Sequence, residues 1–560
     1  MLLQRLNEYA QRLDITPAMY KPTPVPWIID LDDQGRLLGL IRTSGGGKRD
    51  RGKVFTIPYP GVRTSGVKAN LLVDKAEYVL GLERDNKSSA RHDAFLELLR
   101  ECAKATGEQD VRVLLSFLEN LDRSALNLPD ELTPDQWITF NVAGGLPVDL
   151  PTVQAFWAAR ITGQGDAEAQ NSMTCIVCGT ECFPVSPHPG NIKGIPNGQT
   201  SGMALISANS NAFESYGLKR SVIAPTCNAC AERYVIAAND LIQRENTHLR
   251  VGPLIYLFWT KQDTGFSLVS LISKPDPDDV KALINSAWKG REYSALDKTT
   301  FYATAFSASG ARVAVRDWLE STIGNVQENL ARWFVLQQIV DGAGDEGHPY
   351  GIYPLCASMY RDANRDMVAN VPKTLLRAAL HGEQLPMWLL YQAVRRNRAE
   401  QGVTRPRMAL IKMVLLSGER GKEDTMKQLE TENTNPAYLC GRLFAVLESV
   451  QRAAMPNINN TIADRFFGTA SSAPASVFGR LIRGSQSHLG KLRRERKGAY
   501  EALQQRLEEI QSKLDGFPAT LPLKEQGMFA LGYYHQRAMD RAAAKAARAK
   551  STTEENKDKD

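Results

Sequence analysis

The 560-residue chain has no run of about 18 apolar residues, the length that crosses a bilayer, so no membrane span is expected. It also has no apolar signal-peptide core after Met1. Leu2, Leu3 and Leu6 are instead spaced as on a short amphipathic helix, and a cytoplasmic protein is expected. Cysteine is scarce: there are eight, four of them in Cys-x-x-Cys pairs. That pattern fits reduced thiols around a metal better than a disulfide framework. Charge of one sign is lacking too. The 68 Lys and Arg against 62 Asp and Glu leave a net charge of +6, which permits a nucleic-acid partner without demanding one. Catalytic signatures are absent as well. There is no His-Glu-x-x-His, no defensible nucleophile–base pair and no acidic triad. Ser44–Arg49 has the glycines of a phosphate loop. However, Arg42 stands where its first glycine belongs, and Arg49 replaces the hydroxyl residue that would hold magnesium.

What is present is length for roughly two to four domains at about 100–200 residues each. Residues 1–160 read as mixed. Strands at Arg36–Ile41 and Lys53–Ile57 flank a basic, glycine-rich loop, and helical patterns follow at His92–Ala105 and Val111–Leu121. Residues 161–325 hold the cysteine pairs and an expected β-hairpin, with strands Leu254–Trp259 and Phe266–Leu271 joined by Lys261–Gly265. From about residue 312 the pattern is helical. Leu319, Ile323, Val326, Leu330 and Trp333 share one face; Leu503, Leu507, Ile510 and Leu514 share another, ended by Gly516 and Pro518. The expected fold class is α+β: a mixed N-terminal region with a zinc-knuckle segment, then an all-helical C-terminal bundle. The expected bounds are 1–160, 161–325, a helical linker at 326–434, the bundle at 435–548 and a disordered tail at 549–560.

Cys175 and Cys178 pair with Cys227 and Cys230 as the expected ligands of a structural Zn2+. Two Cys-x-x-Cys turns supply four soft thiolates, and Gly179 suits the first turn. The 48 residues between the pairs exceed a compact zinc ribbon and imply an insertion. Cys182 and His188 are possible substitute ligands; Cys102, Cys356 and Cys440 read as small core residues. A catalytic zinc fits less well. His381-Gly382-Glu383 lies downstream of both pairs, opposite to the order of a nucleobase deaminase, and Pro225 is one residue too far from Cys227. His535 reads as a packed, hydrogen-bonded histidine.

Arg480, Arg483, Lys491, Arg493, Arg494, Arg496 and Lys497 form a dense basic stretch with one acid, Glu495. On a helix they make a face for nucleic-acid phosphates or, more plainly, a solvated surface. Arg395, Arg396, Arg398, Arg405 and Arg407 form a second basic group. Between the cysteine pairs, glycines allow close backbone approach to a groove, and Asn and Ser side chains can bond bases or phosphates.

Four segments resemble the large subunit of type I-C CRISPR surveillance (Cascade) complexes. They are Arg63–Asn70 with Asp74 and Tyr78–Gly81; Ser201–Gly217; Gly441–Glu448 with Gln451; and Gln526–Gln536. The resemblance implies a non-catalytic subunit of a crRNA-guided complex. Such a subunit recognises the protospacer-adjacent motif on target double-stranded DNA, helps open the duplex, stabilises the displaced strand and docks a helicase-nuclease. It implies crRNA, target DNA, the backbone and crRNA-processing proteins and a small subunit as partners, with no membrane. It also implies a small-subunit-like C-terminal region that can be made separately, with Met455 as one possible start. Within this frame Ser207, Asn209 and Asn211, then Arg63 and Lys68, are the expected motif readers. A zinc-dependent enzyme acting on nucleic acid and a purely architectural scaffold are the alternatives.

Overall fold

The computed structural model describes residues 2–13, 19–45, 51–59, 67–122, 126, 128–163, 172–208, 210–288 and 297–557. The fold is mixed α+β, with sheets in the N-terminal half and helices towards the C-terminus. The chain divides into two compact units: Met1–Asn191 with Ile206–Ala238, and Ile192–Leu205 with Asn239–Asp560.

The first unit opens with α1 (Leu2–Ala10). Its strands are β1 (Tyr20–Val25), β2 (Trp27–Leu31), β3 (Leu37–Arg42), β4 (Lys53–Pro58), β5 (Asp74–Lys75) and β6 (Trp137–Val142). Trp27, Ile29 and Leu31 alternate inward along β2, which puts that strand at the centre of a sheet ordered β3-β2-β6-β5, with β2 and β6 parallel. The strands expected at Arg36–Ile41 and Lys53–Ile57 both form but do not meet. One pairs with β2, while the other pairs with β1 in a separate ribbon. Of the basic loop between them, residues 46–50 lie outside the described residues. The helices α2 (Ser88–Thr106), α3 (Gln109–Glu119) and α4 (Pro151–Gly163) contribute Phe95, Leu99, Leu114 and Trp157 to this unit's core. The first family-like segment is structural here. Asp74 accepts hydrogen bonds from the amides of Asn70 at 2.7 Å and Lys75 at 2.8 Å, closing a buried turn at Leu71–Val73. Short strands β7 (Met173–Thr174) and β8 (Glu181–Cys182) carry the first cysteine pair; α5 (Asn228–Gln243) starts within the second.

The second unit is built on an antiparallel sheet of β9 (His248–Val251), β10 (Leu254–Thr260), β11 (Thr300–Ser309) and β12 (Arg312–Thr322), ordered β12-β11-β10-β9. The expected hairpin partner is therefore corrected: Phe266–Leu271 is not a strand, and Val269–Ser273 is helical. Every residue of β10 is buried, so it takes neighbours on both edges, and β9 and β11 supply them. Leu268 and Ile272, four apart, are the residues buried next to it, which is a helical period rather than the alternation of a strand. The helical reading from residue 312 is corrected in the same way. Leu319 lies on β12, and the helix α6 (Ile323–Gln337) starts only after Thr322, whose hydroxyl caps the Asn325 amide.

The helices that follow are α7 (Asn370–His381), α8 (Met387–Glu400), α9 (Arg405–Leu416), α10 (Pro436–Ala454), α11 (Ile462–Ala470), α12 (Phe478–Glu495), α13 (Lys497–Ser512) and α14 (Leu523–Lys557). The last one runs past residue 548, where the sequence reading ends the bundle; its Ala/Lys-rich composition is strongly helix-forming. Met455 is the C-cap of α10, so a product starting there would lack that helix.

Helices α10 and α14 form the centre of the bundle. A Cβ on Gly441 would lie 2.0 Å from the Phe529 carbonyl oxygen, and one on Gly532 would lie 2.1 Å from that of Tyr438. The two backbones approach so closely that only glycine fits at either position. Around the crossing, buried Arg442 donates to Gln536 at 3.0 Å and to Glu509 of α13 at 3.0 and 3.1 Å. Buried Glu448 accepts from Tyr533 Oη at 2.7 Å, Thr461 Oγ1 at 3.0 Å and Arg452 at 2.8 Å. Burial pushes the Glu448 carboxyl up, but Arg537, Tyr533 and Arg452 together hold it below the usual carboxylate range. The third and fourth family-like segments are thus the two faces of one contact.

Gly532→Ala is expected to cost about 1–3 kcal/mol in urea unfolding, as an overpacked core position. Gly479→Ala, where nothing lies within 4 Å, should leave stability equal or higher by up to about 1 kcal/mol. A pH dependence follows from His535. Burial depresses its pKa from 6.5 to about 3, and its ring meets Tyr438 Oη at 3.0 Å. Because the folded pKa is lowered, the unfolded chain takes up the proton first. Stability from this group is complete above pH 6.5 and is lost as pH falls towards 3. Denaturation between pH 7 and 5 should therefore show a slope about one proton smaller in His535→Asn than in the unaltered chain.

Candidate metal centre and nucleic-acid surfaces

The two cysteine pairs come together. The sulfurs of Cys175, Cys178, Cys227 and Cys230 all lie within 4.8 Å of one another. The first pair sits on the β7–β8 turn. There the Cys175 amide donates to the Thr180 carbonyl, and Gly179, at φ +78°, donates back to the Cys175 carbonyl at 2.9 Å. The second pair opens α5, where the Ala231 amide reaches the Cys227 carbonyl at 3.0 Å and the positive helix end favours thiolate. The knuckles are tied by Ile176 N–H to the Pro225 carbonyl at 2.8 Å and by Cys227 N–H to Cys175 Sγ at 3.4 Å.

The donor set fits a tetrahedral ion. Cys178 and Cys227 sulfurs are 3.9 Å apart, close to the roughly 3.8 Å edge of a tetrahedron with sulfurs about 2.3 Å from zinc. A hydrogen bond from Cys230 holds the Cys227 thiol down at about 5, while the same bond and burial push Cys230 up. Leu3 of α1 packs against this cluster. The substitute ligands considered from sequence have other roles. His188 is buried and bonded to Tyr234 Oη at 2.8 Å, and burial lowers its pKa to about 4. Cys182, pushed up to about 11 by burial, lies outside the four-sulfur group. His381 belongs to the second unit. Its Nε2 is 3.6 Å from Asp317, and Arg377 bridges Asp317 and Glu383, which fastens α7 to β12.

The segment between the pairs is not one insertion. Ile192–Leu205 groups with the second unit, where Met203 pairs with Ile192 and the Ala204 carbonyl accepts from Val313 N–H of β12 at 2.9 Å. The flanking stretches, up to Asn191 and from Ile206 onward, stay with the knuckles. In the stretch from Ile206, Ser207 is half-buried and Asn211 is exposed at the start of a 3-10 turn; Asn209 lies outside the described residues. Ser215 and Leu218 close a tight turn at 2.9 Å, with Tyr216 at φ +54° and Gly217 at φ +74°, the torsions of a type I′ turn. Tyr216 at its apex is wholly exposed, and Lys219 and Arg220 beyond it are exposed. In the sequence Tyr216 stands out only as part of the family-like segment, and Lys219 and Arg220 belong to neither basic cluster. The Tyr-Gly dipeptide followed by Lys219 and Arg220 is the available signal. Lys68 is exposed, and Arg63 lies outside the described residues.

The basic stretch at 480–497 is divided by the fold. Leu481, Ser485, Leu489 and Leu492 face the core, so Arg480, Arg483 and Arg494 point to the opposite side of α12. Arg493 is exposed nearer the flank. Lys491 Nζ donates to the Ala454 carbonyl at 2.9 Å and Arg496 to the Ala453 carbonyl at 3.3 Å, so these two close the C-terminus of α10. Lys497 is 3.9 Å from Glu501. The second basic group divides too. Arg405 and Arg407 bond carbonyls of Ile339, His348 and Ser358, Arg396 pairs with Glu400, and Arg395 and Arg398 remain exposed.

A family model described as CRISPR-associated protein (Cas_Csd1) matches residues 3–539, which covers both units and all four family-like segments. The chain belongs to the Cas_Csd1 family. This agrees with the resemblance to the type I-C large subunit read from the sequence. No curated protein matches the chain. Among the described residues of this Cas_Csd1 member, no helix is long and apolar enough to cross a membrane.

The purified chain is expected to hold about one equivalent of a thiophilic divalent metal. Cys227→Ser should reduce that occupancy sharply; elemental analysis returning less than about half an equivalent from folded protein would rule out the four-sulfur site.

Proposed function

We propose that this protein is a non-catalytic, DNA-reading large subunit of a crRNA-guided type I-C interference complex. It recognises the protospacer-adjacent motif on duplex DNA, helps open the duplex, stabilises the displaced strand and offers a docking surface to the helicase-nuclease. Cys175, Cys178, Cys227 and Cys230 hold a structural zinc. The family match over residues 3–539 carries the reading. Guide pairing supplies sequence specificity in such complexes, and protein reads only a short flanking motif and the backbone.

Two features of the geometry support this division. The Ser210–Arg220 loop leaves the metal knuckle as an exposed, sharply turned segment with amide, aromatic and cationic side chains. Those are the groups that read base edges and hold phosphates. Zinc in a closed tetrathiolate leaves no open coordination position, so its contribution is to cross-link the base of that loop. In the same reading, residues 435–548 are the small-subunit-like module.

The discriminating measurement is motif-dependent DNA binding by the assembled complex. Asn209→Ala with Asn211→Ala should lower affinity for targets carrying the correct flanking motif about 10-fold or more, with little change on motif-less DNA. Unchanged motif dependence would favour the scaffold reading. Cleavage or deamination of DNA by the purified chain alone would favour the enzyme reading.

A further inference from the structure

Helices α8 and α11 border a groove of about 740 Å3 whose charged lining is entirely cationic. Tyr391, Arg395 and Arg398 stand on α8 at i, i+4 and i+7, a single stripe, and Arg465 comes from α11. Gly468, one turn beyond Arg465, keeps the groove clear. Its amide donates to Gln401 Oε1 at 3.1 Å, which ties the C-terminal cap of α8 to α11.

The acids nearest in sequence are already engaged. Glu400 accepts from Arg396 at 2.5 Å and Arg407 at 2.7 Å, and Asp464 closes the capping box of α11 with Thr461. Among the described residues, Arg395, Arg398 and Arg465 have no carboxylate partner. Three guanidiniums converging without counter-charge make a site for an anion, and their planar donors match phosphate oxygens.

Tyr391 is 57% exposed and presents a ring to the same groove. A duplex hides its base faces in the stack, whereas a single strand can lay a base on an aromatic ring while its backbone follows cations. The cationic path continues outward. The Arg480 guanidinium lies 5.3 Å from the ring of Phe466, the neighbour of Arg465, and Arg483 and Arg494 share its side of α12. We propose that the α8–α11 groove binds single-stranded nucleic acid, with phosphates on Arg395, Arg398 and Arg465 and a base against Tyr391. The proposal rests on the nucleic-acid reading above and assigns the strand a site on this chain.

The test uses the full chain and a fluorescent oligothymidylate, titrated at several salt concentrations. Replacing Arg395, Arg398 and Arg465 together by Gln should weaken binding about tenfold or more and lower the log–log salt slope by about 2, since each single-strand phosphate contact contributes roughly 0.7. Tyr391→Ala should weaken binding about 5- to 100-fold without changing the slope, and Tyr391→Phe should retain it. Helical content by circular dichroism checks that the variants fold. Unaltered affinity and slope in the triple variant would overturn the groove. If Arg483→Glu with Arg494→Glu still weakened binding in that event, the broader nucleic-acid reading would stand. If neither set moved DNA binding, both would fall. Equal displacement of the oligonucleotide by polyglutamate from the unaltered chain and from the Tyr391→Ala variant would overturn the nucleic-acid assignment in favour of an acidic peptide.

Discussion

The close crossing of α10 and α14 is the constraint on which the C-terminal half depends. Gly441 and Gly532 let each helix press its backbone against the other's carbonyls. At that separation polar side chains on either helix become buried, and each needs a partner. Arg442 finds Gln536 and Glu509, Glu448 finds Tyr533 and Thr461, and Tyr438 finds His535. An unpaired charge there would cost far more than the pair contributes, so these contacts specify one register rather than adding large net stability. The bundle's other helices take their places against this pair: α13 through Glu509, α11 through Thr461, and α12 through the carbonyls that Lys491 and Arg496 close.

The first unit meets the same problem of order with a different device. Its knuckle segment has only a small apolar cluster of its own, made of Cys175, Val177 and Cys230 with Leu3 beside them. Four thiols within 4.8 Å stand where that core is lacking, and a metal bound there would link the β7–β8 turn to the start of α5. The exposed turn at Ser215–Leu218 can therefore present Tyr216 to solvent while its base is held.

Charge in this molecule follows burial. Arginines that the fold encloses are matched to carbonyls or carboxylates, as at Arg407 and Arg442. Those left outside, on α8, α11 and the outer side of α12, have no carboxylate partner among the described residues and line one groove and one helix face. A net charge of +6 over 560 residues conceals that separation, because acids and bases nearly cancel in the sum but not on the surface.

Local pattern made much of this protein legible. The two Cys-x-x-Cys pairs, the strand-like apolar run Leu254–Trp259, the helical spacing of Leu503 to Ile510 and the four family-like segments all reflect short-range rules of spacing and chemistry. Those rules carried the α+β class, the grouping of four cysteines and the family. The misread elements were those whose state depends on distant neighbours. Phe266–Leu271 alternates like a strand, but β9 and β11 already occupy both edges of β10. Leu319 has helical spacing with Ile323, yet it lies on β12 and pairs with Ala303 of β11. The candidate surfaces depended on tertiary structure still more. Arg395 and Arg398 were visible as a cluster, but Arg465, 67 residues beyond Arg398, joins them only because α8 and α11 pack together. Likewise Lys491 and Arg496 look identical to Arg483 and Arg494 until α10 ends beneath them. Spacing along the chain decides which residues form an element; which charges stay free is decided by what that element is packed against.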